Sequence, residues 1–157
     1  MKIYLEKNKT EEKLLRKKIA VFDFDKYTKK ELRELVKKMR TTMKKADGVG
    51  LSANQVGLDE KMFVAEVDDK FYAIFNPKIV KESTEKNEME EGCLSVPEKF
   101  GTVARSEKIW LECQNADGKK IKIKAWGFLA RVFQHELDHL EGKLFIDRSK
   151  DVYAAKK

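Results

Sequence analysis

Both histidines of this 157-residue chain fall in one nine-residue stretch, Gln134-His135-Glu136-Leu137-Asp138-His139-Leu140-Glu141-Gly142. On a helix, His135 and His139 stand at i and i+4, so both rings project from one face and can hold one metal ion. Glu136, beside the first of them, is placed to act on a water bound to that ion. The stretch therefore demands a helix, and the residues before it supply one with an apolar face. Phe128, Leu129, Val132, Phe133 and Leu140 predict a helix from Trp126 to about Leu140. Metal-assisted hydrolysis is the first chemistry that this pattern suggests.

The rest of the chain has to provide something for that helix to pack on. Thr28 opens a second helical segment, with Glu31 at the capping-box spacing. Leu32, Leu35, Val36, Met39 and Met43 recur along it, and Asp47-Gly48 ends it. The middle reads as strands. Met62–Val67 and Phe71–Phe75 flank a turn at Asp68-Asp69-Lys70, Asn76-Pro77 breaks the second strand, and residues 78–81 resume it. Ile109–Cys113 and Lys120–Lys124 flank Asn115-Ala116-Asp117-Gly118, a strong hairpin signal. No linker, repeat or low-complexity tract divides residues 1–157, and the length suits one domain. The expected class is α+β, with the metal helix packed against a strand-rich core.

Composition narrows the context. No run of apolar residues is long enough to span a membrane, and residues 1–16 lack the apolar run and cleavage site of a secretory signal. Reduced thiols and a cytoplasmic setting are the expectation, which leaves cysteine free for metal. The net charge of +7 is uneven: residues 1–46 carry sixteen Lys and Arg against seven Asp and Glu, and the remainder is close to neutral. A basic N-terminal third suits transient contact with a ribosome. Neither interleaved aromatics nor a nucleic-acid motif accompanies it there, and DNA is not an expected partner.

A catalytic ion held by two histidines needs a third protein ligand, with one position left open. The zinc-protease continuation His-x-x-Gly-x-x-His matches as far as Gly142, but its last position is Phe145. No third histidine exists, and beyond Glu141 only Asp147 and Asp151 offer carboxylates. The thiols remain. Cys113 lies inside an apparent strand and reads as an inert core residue. Cys93 sits in Glu90-Glu91-Gly92-Cys93-Leu94-Ser95-Val96-Pro97, where the glycine allows close approach, and it would complete a Cys-His-His site. A third segment, Gly48-Val49-Gly50-Leu51-Ser52-Ala53-Asn54-Gln55, follows the first long helix. It lacks the Gly-Lys-Ser/Thr of a phosphate loop. Its Gln55 amide suits donation to a developing oxyanion.

Taken together and in order, these three segments resemble the peptide deformylases, from about Thr28 to Arg148, including the Leu144-Phe145-Ile146-Asp147-Arg148 tail. The resemblance implies small antiparallel or mixed sheets around a central C-terminal metal helix, with an N-terminal helix packed outside. It implies removal of the formyl group from N-formylmethionine on new polypeptides. Cys93, His135 and His139 would be the metal ligands, Glu136 the proton carrier, and the Gln55 amide and Leu94 N–H the oxyanion donors. Val49, Met89, Phe128, Val132 and the His135 ring would line the methionine pocket, with Arg131 at its rim, stem packed and charge in water. Gly50, with Val49, would pair with extended peptide, and Glu91 would steady the cysteine loop through Arg105. The family's association points to Fe2+ as the working ion, although the donor set also accepts Zn2+, Ni2+ or Co2+.

Some features depart from the family pattern. Ser52 stands where relatives usually have Ala, the N-terminal Pro-Asp-Pro pattern is missing, and little follows Arg148 where many bacterial members carry a long helix. These departures leave the chemistry in place and fit a divergent bacterial, phage or organelle setting. The alternatives are a relative that binds N-blocked peptides without catalysis, or a deacylase of relaxed preference.

Overall fold

The computed structural model describes residues 1–155. Three helices, α1 (Lys9–Leu15), α2 (Lys29–Lys45) and α3 (Gly127–Leu140), surround two antiparallel sheets. The larger sheet has the order β1-β2-β3-β6-β7, from β1 (Gly50–Ser52), β2 (Met62–Val67), β3 (Lys70–Glu82), β6 (Lys108–Gln114) and β7 (Lys120–Trp126). The smaller has the order β4-β5-β8, from β4 (Lys86–Cys93), β5 (Val96–Ser106) and β8 (Tyr153–Ala154). The expected α+β class is what forms, and every strand pairing is antiparallel.

β2 explains how the two long helices share one sheet. Its Met62-Phe63-Val64-Ala65 run is buried on both faces, as continuous apolar strands are. Met62 and Val64 pack with Leu32, Leu35, Met39 and Met43 of α2, while Phe63 and Ala65 pack with Ala130, Val132 and Phe133 of α3. The first half of the sheet is thus sandwiched, and α3 lies across the opposite face from α2. Farther along, Ile109, Leu111 and Cys113 of β6 and Ala125 of β7 turn to the α3 side only.

Local chemistry sets the ends of these elements. Thr28 accepts the Glu31 N–H at 3.1 Å and the Glu31 carboxylate accepts the Thr28 N–H at 2.9 Å, completing the expected capping box. Thr28→Ala is expected to destabilise the fold by about 1 kcal/mol, read from chemical denaturation. The β2–β3 turn places Asp68 and Asp69 at φ of 53° and 62°, the left-handed pair that a two-residue hairpin requires. Gly142, at φ 77°, closes α3 where an added Cβ would collide with the Arg16 carbonyl. Asn76-Pro77 does not break the strand as the sequence suggests. β3 runs through it with a bulge, Asn76 taking φ 49° while its side chain accepts the Phe22 N–H at 2.8 Å.

A candidate metal and hydrolytic site

α3 delivers two ligands and β4 the third. The Nε2 atoms of His135 and His139 are 3.2 Å apart, and Cys93 Sγ lies 3.3 Å from His139 Nε2. All three ligand atoms fall within 4.8 Å of one another. Cys93 ends β4, just past a register shift between Glu91 and Cys93 that turns the strand toward the helix.

The donor set fits a divalent cation. Glu91 Oε1 holds His135 Nδ1 at 2.8 Å, which leaves the Nε2 lone pair facing inward. Burial opposes a proton on His135, yet the hydrogen bonds that the ring donates to Cys93 and Glu91 outweigh it and push its pKa up to about 10, so a bound ion would take the place of a proton at Nε2. Burial, then the neighbouring charge on His135, holds His139 well below its ordinary value. Two imidazoles and a cysteine sulfur converge on one point, and such a donor set suits a divalent ion.

Around these ligands lies a buried charge network. Glu91 receives Arg105 in bidentate fashion, Nε and Nη2 both at 2.8 Å, and Arg131 Nη1 at 2.5 Å. Burial works against the Glu91 carboxylate, but the bonds from Arg105 and His135 hold its pKa far below the usual range. Arg105 continues to Asp138, which Arg148 also grips at 2.6 and 2.9 Å. The predicted Glu91–Arg105 pair is therefore present, as one part of a larger assembly.

Arg131 departs from its expected place. It is 3% exposed rather than at a wet rim, and it donates to the Val103 carbonyl and to the backbone and side chain of Asn87 as well as to Glu91. The physical reason is that a buried anion and three oxygen acceptors meet its guanidinium where open water was expected.

Glu136 is buried beside the metal ligands. Its Oε1 accepts the Ser52 hydroxyl at 2.9 Å, and that hydroxyl also reaches the Glu136 carbonyl at 3.1 Å. Burial raises the Glu136 pKa, against opposing pulls from His135 and Ser52. A side chain at Gly50 would stand 2.6 Å from Glu136 Oε2, so glycine is what lets the carboxylate lie against β1. Gln55 sits in a 3₁₀ turn, residues Ala53–Val56. Its Oε1 accepts the Ser52 N–H at 2.9 Å, while its Nε2 donates to Ser95 Oγ at 3.1 Å and points toward Cys93 Sγ at 3.6 Å. The amide orientation is fixed, with its donor end toward the metal site.

A cavity of about 460 Å³ opens here, a volume suited to a small ligand. Of the residues expected to line a substrate pocket, Val49, Gly50, Glu91, Phe128, Arg131 and Val132 do line it, as do Leu94 and Gln55. Met89 does not. It lies two residues farther up β4 than Glu91, exposed and outside the lining. Val49 gives its carbonyl to Glu66 N–H at 2.9 Å. By strand alternation, Gly50 turns its own N–H and C=O to the free edge of β1, where an extended peptide can pair with them.

Sequence reasoning missed Ser52, Asn87 and Ser95 as parts of this site. Ser52 and Ser95 belong to the Gly48–Gln55 and Glu90–Pro97 segments, where a hydroxyl in a run of otherwise small or apolar residues is the only signal the sequence offers, and both are fully buried.

The two thiols should behave differently. Burial pushes the Cys113 thiol up to about 11, whereas Cys93 borders the cavity. Iodoacetamide should alkylate Cys93 alone in the metal-stripped protein, and added divalent ion should protect it. Peptide mass mapping reads both results, and equal labelling of Cys93 with metal bound would remove it from the ligand set.

The polypeptide deformylase family model matches residues 6–154. A peptide deformylase of Halothermothrix orenii is 47% identical over 123 residues, covering 77% of this chain and 79% of that one. The crystal structure of peptide deformylase from Thermotoga maritima superposes with a TM-score of 0.86 at 37% identity, covering 96% of this chain and 97% of that one. That of a probable peptide deformylase from a Synechococcus phage does so with 0.85 at 40% identity, over 94% and 99%. With a Cys-His-His cluster, a buried glutamate and an oriented amide around one cavity, the chain belongs to the polypeptide deformylase family.

Proposed function

We infer that the cavity beside Cys93, His135 and His139 is where this metal-dependent hydrolase removes N-formyl groups from nascent polypeptides, and that Glu136 and Gln55 do the proton and charge work. The observation that carries this reading is their arrangement. A buried carboxylate and a fixed amide donor face one three-ligand cluster at the wall of a single cavity.

When bound there, a divalent ion supplies Lewis acidity and makes hydroxide available near neutral pH. Glu136 takes the proton from the attacking water and delivers it to the departing amine. Water thus adds across the formyl C–N bond, giving formate and a free amino terminus. The Gln55 Nε2–H and the Leu94 N–H receive the negative charge that grows on the formyl oxygen. Ser52 holds the Glu136 carboxylate toward the cavity, and its N–H keeps Gln55 from turning its oxygen inward. Phe128, Val132 and Val49 offer apolar walls for an unbranched side chain, while Gly50 pairs with the peptide backbone.

The thiolate–imidazole donor set accepts several divalent ions, and the family's association is what favours Fe2+ as the working ion. Formylated chains are met during translation. Transient ribosome contact through the basic N-terminal third, in the cytoplasm or the equivalent organelle or infected-cell space, completes the reading. Lys37 and Lys38 face outward on α2 in support of it. No helix among the described residues is long and apolar enough to cross a membrane.

Anaerobic purification followed by a formyl-Met-peptide assay tests the function. The iron-loaded protein should release formate and new amine in equal amounts, and chelation should stop both. A metal-replete sample that releases no formate would overturn the assignment.

A further inference from the structure

The face of the larger sheet that α2 covers at β1, β2 and the start of β3 is bare farther along. There the outward positions are Lys78 and Lys81 on β3, Lys108, Trp110 and Glu112 on β6, and Lys120, Lys122, Lys124 and Trp126 on β7. Six lysines face one glutamate. The near-neutral balance of the C-terminal part of the sequence conceals this, because the acids concentrate elsewhere, notably along β4. Both tryptophans of the chain are on this face.

Their settings differ in a useful way. Trp110 pairs across the sheet with Lys81 on one side and Lys124 on the other, whose Nζ atoms lie 4.8 and 5.3 Å from its ring centroid. The ring holds two ammonium groups in place. Trp126 is 62% exposed and its indole makes no capping bond to α3, so neither packing nor capping accounts for it.

We propose that this face docks single-stranded RNA. Lys120, Lys122 and Lys124 repeat at about 7 Å along β7, a rise that follows successive phosphates of an extended strand. Trp126 at the end of the row presents a flat apolar surface on which an unpaired base can stack. An acidic peptide would use the lysines but leaves the exposed indole without a role. β7 passes directly into α3, whose Phe128 lines the cavity two residues after Trp126, so bound RNA would lie beside the cavity. The surface is separate from the catalytic reading and stands or falls without it.

The test uses the full, metal-loaded chain and a fluorescein-labelled oligouridylate of about twenty nucleotides, titrated at several salt concentrations. Log K should fall against log salt with a slope of about −2 to −4. Lys122→Glu combined with Lys124→Glu should weaken binding by about tenfold or more and flatten the slope. Trp126→Ala should weaken it by about fivefold or more with the slope unchanged. Hydrolysis of a short formyl-Met peptide should be the same in all of these proteins. The proposal is overturned if Lys37→Glu with Lys38→Glu on α2 weakens binding as much as the β7 pair does. It is overturned too if Trp126→Ala binds like the parent, or if polyglutamate binds as tightly as the oligonucleotide, which would mark an acidic-peptide site.

Discussion

Glu136→Ala should lose turnover on the order of 100- to 10,000-fold while keeping its metal and its fold. The carboxylate touches no ligand side chain at bonding distance, and its protein contact is the Ser52 hydroxyl. That hydroxyl keeps a second acceptor, the Glu136 carbonyl at 3.1 Å, so truncation leaves no orphaned donor. The space vacated lies against Gly50 and opens to the cavity, where water can enter. Glu136→Gln keeps the shape and should be equally slow, since an amide cannot carry the proton. Steady-state rates with metal analysis on the same samples decide it. A metal-bound alanine variant at parental turnover would assign the proton to another group.

Glu91→Ala should be the most damaging change to the fold. It leaves Arg105 and Arg131, each 3% exposed, without their shared anion, and removal of one partner from a buried pair typically costs about 3–5 kcal/mol. Asp138 still serves Arg105, whereas Arg131 retains only neutral oxygens from Val103 and Asn87. His135 Nδ1 loses its acceptor as well, and loss of such a partner lowers metal affinity by about 10- to 100-fold. The Glu91 pKa is lowered on folding. Its stabilising share is therefore complete above the ordinary glutamate range and is lost as pH falls below it. Urea denaturation at neutral pH, with a metal titration of whatever folds, measures both effects. An alanine variant as stable as the parent would show that the arginines relax to water.

The elements legible in the sequence were those whose signal is local. The capping box of α2, the apolar face of α3 and the Asp68-Asp69 turn each lie within a few residues, and each forms as read. The three ligand positions came from the spacing of two histidines and the shortage of other donors. The β4–β5 hairpin was invisible for a physical reason. β4 reads Lys-Asn-Glu-Met-Glu-Glu-Gly-Cys, and its one buried residue is the charged Glu91, so it has no apolar alternation to detect. β5 carries Pro97 and Gly101 within its span, which look like punctuation. Arg131 was misplaced because burial of a guanidinium depends on an anion forty positions earlier in the chain, which no local pattern reports.

The strand bearing Cys93 and the helix bearing both histidines belong to different layers, joined by arginines and carboxylates with little greasy contact between them. An ion held by all three residues would consequently be a removable crosslink between the small sheet and the helix. The chain has no disulfide to serve that purpose, its two thiols being free. Occupancy and architecture are then linked, and withdrawing the ion would loosen the seam along which the cavity is formed.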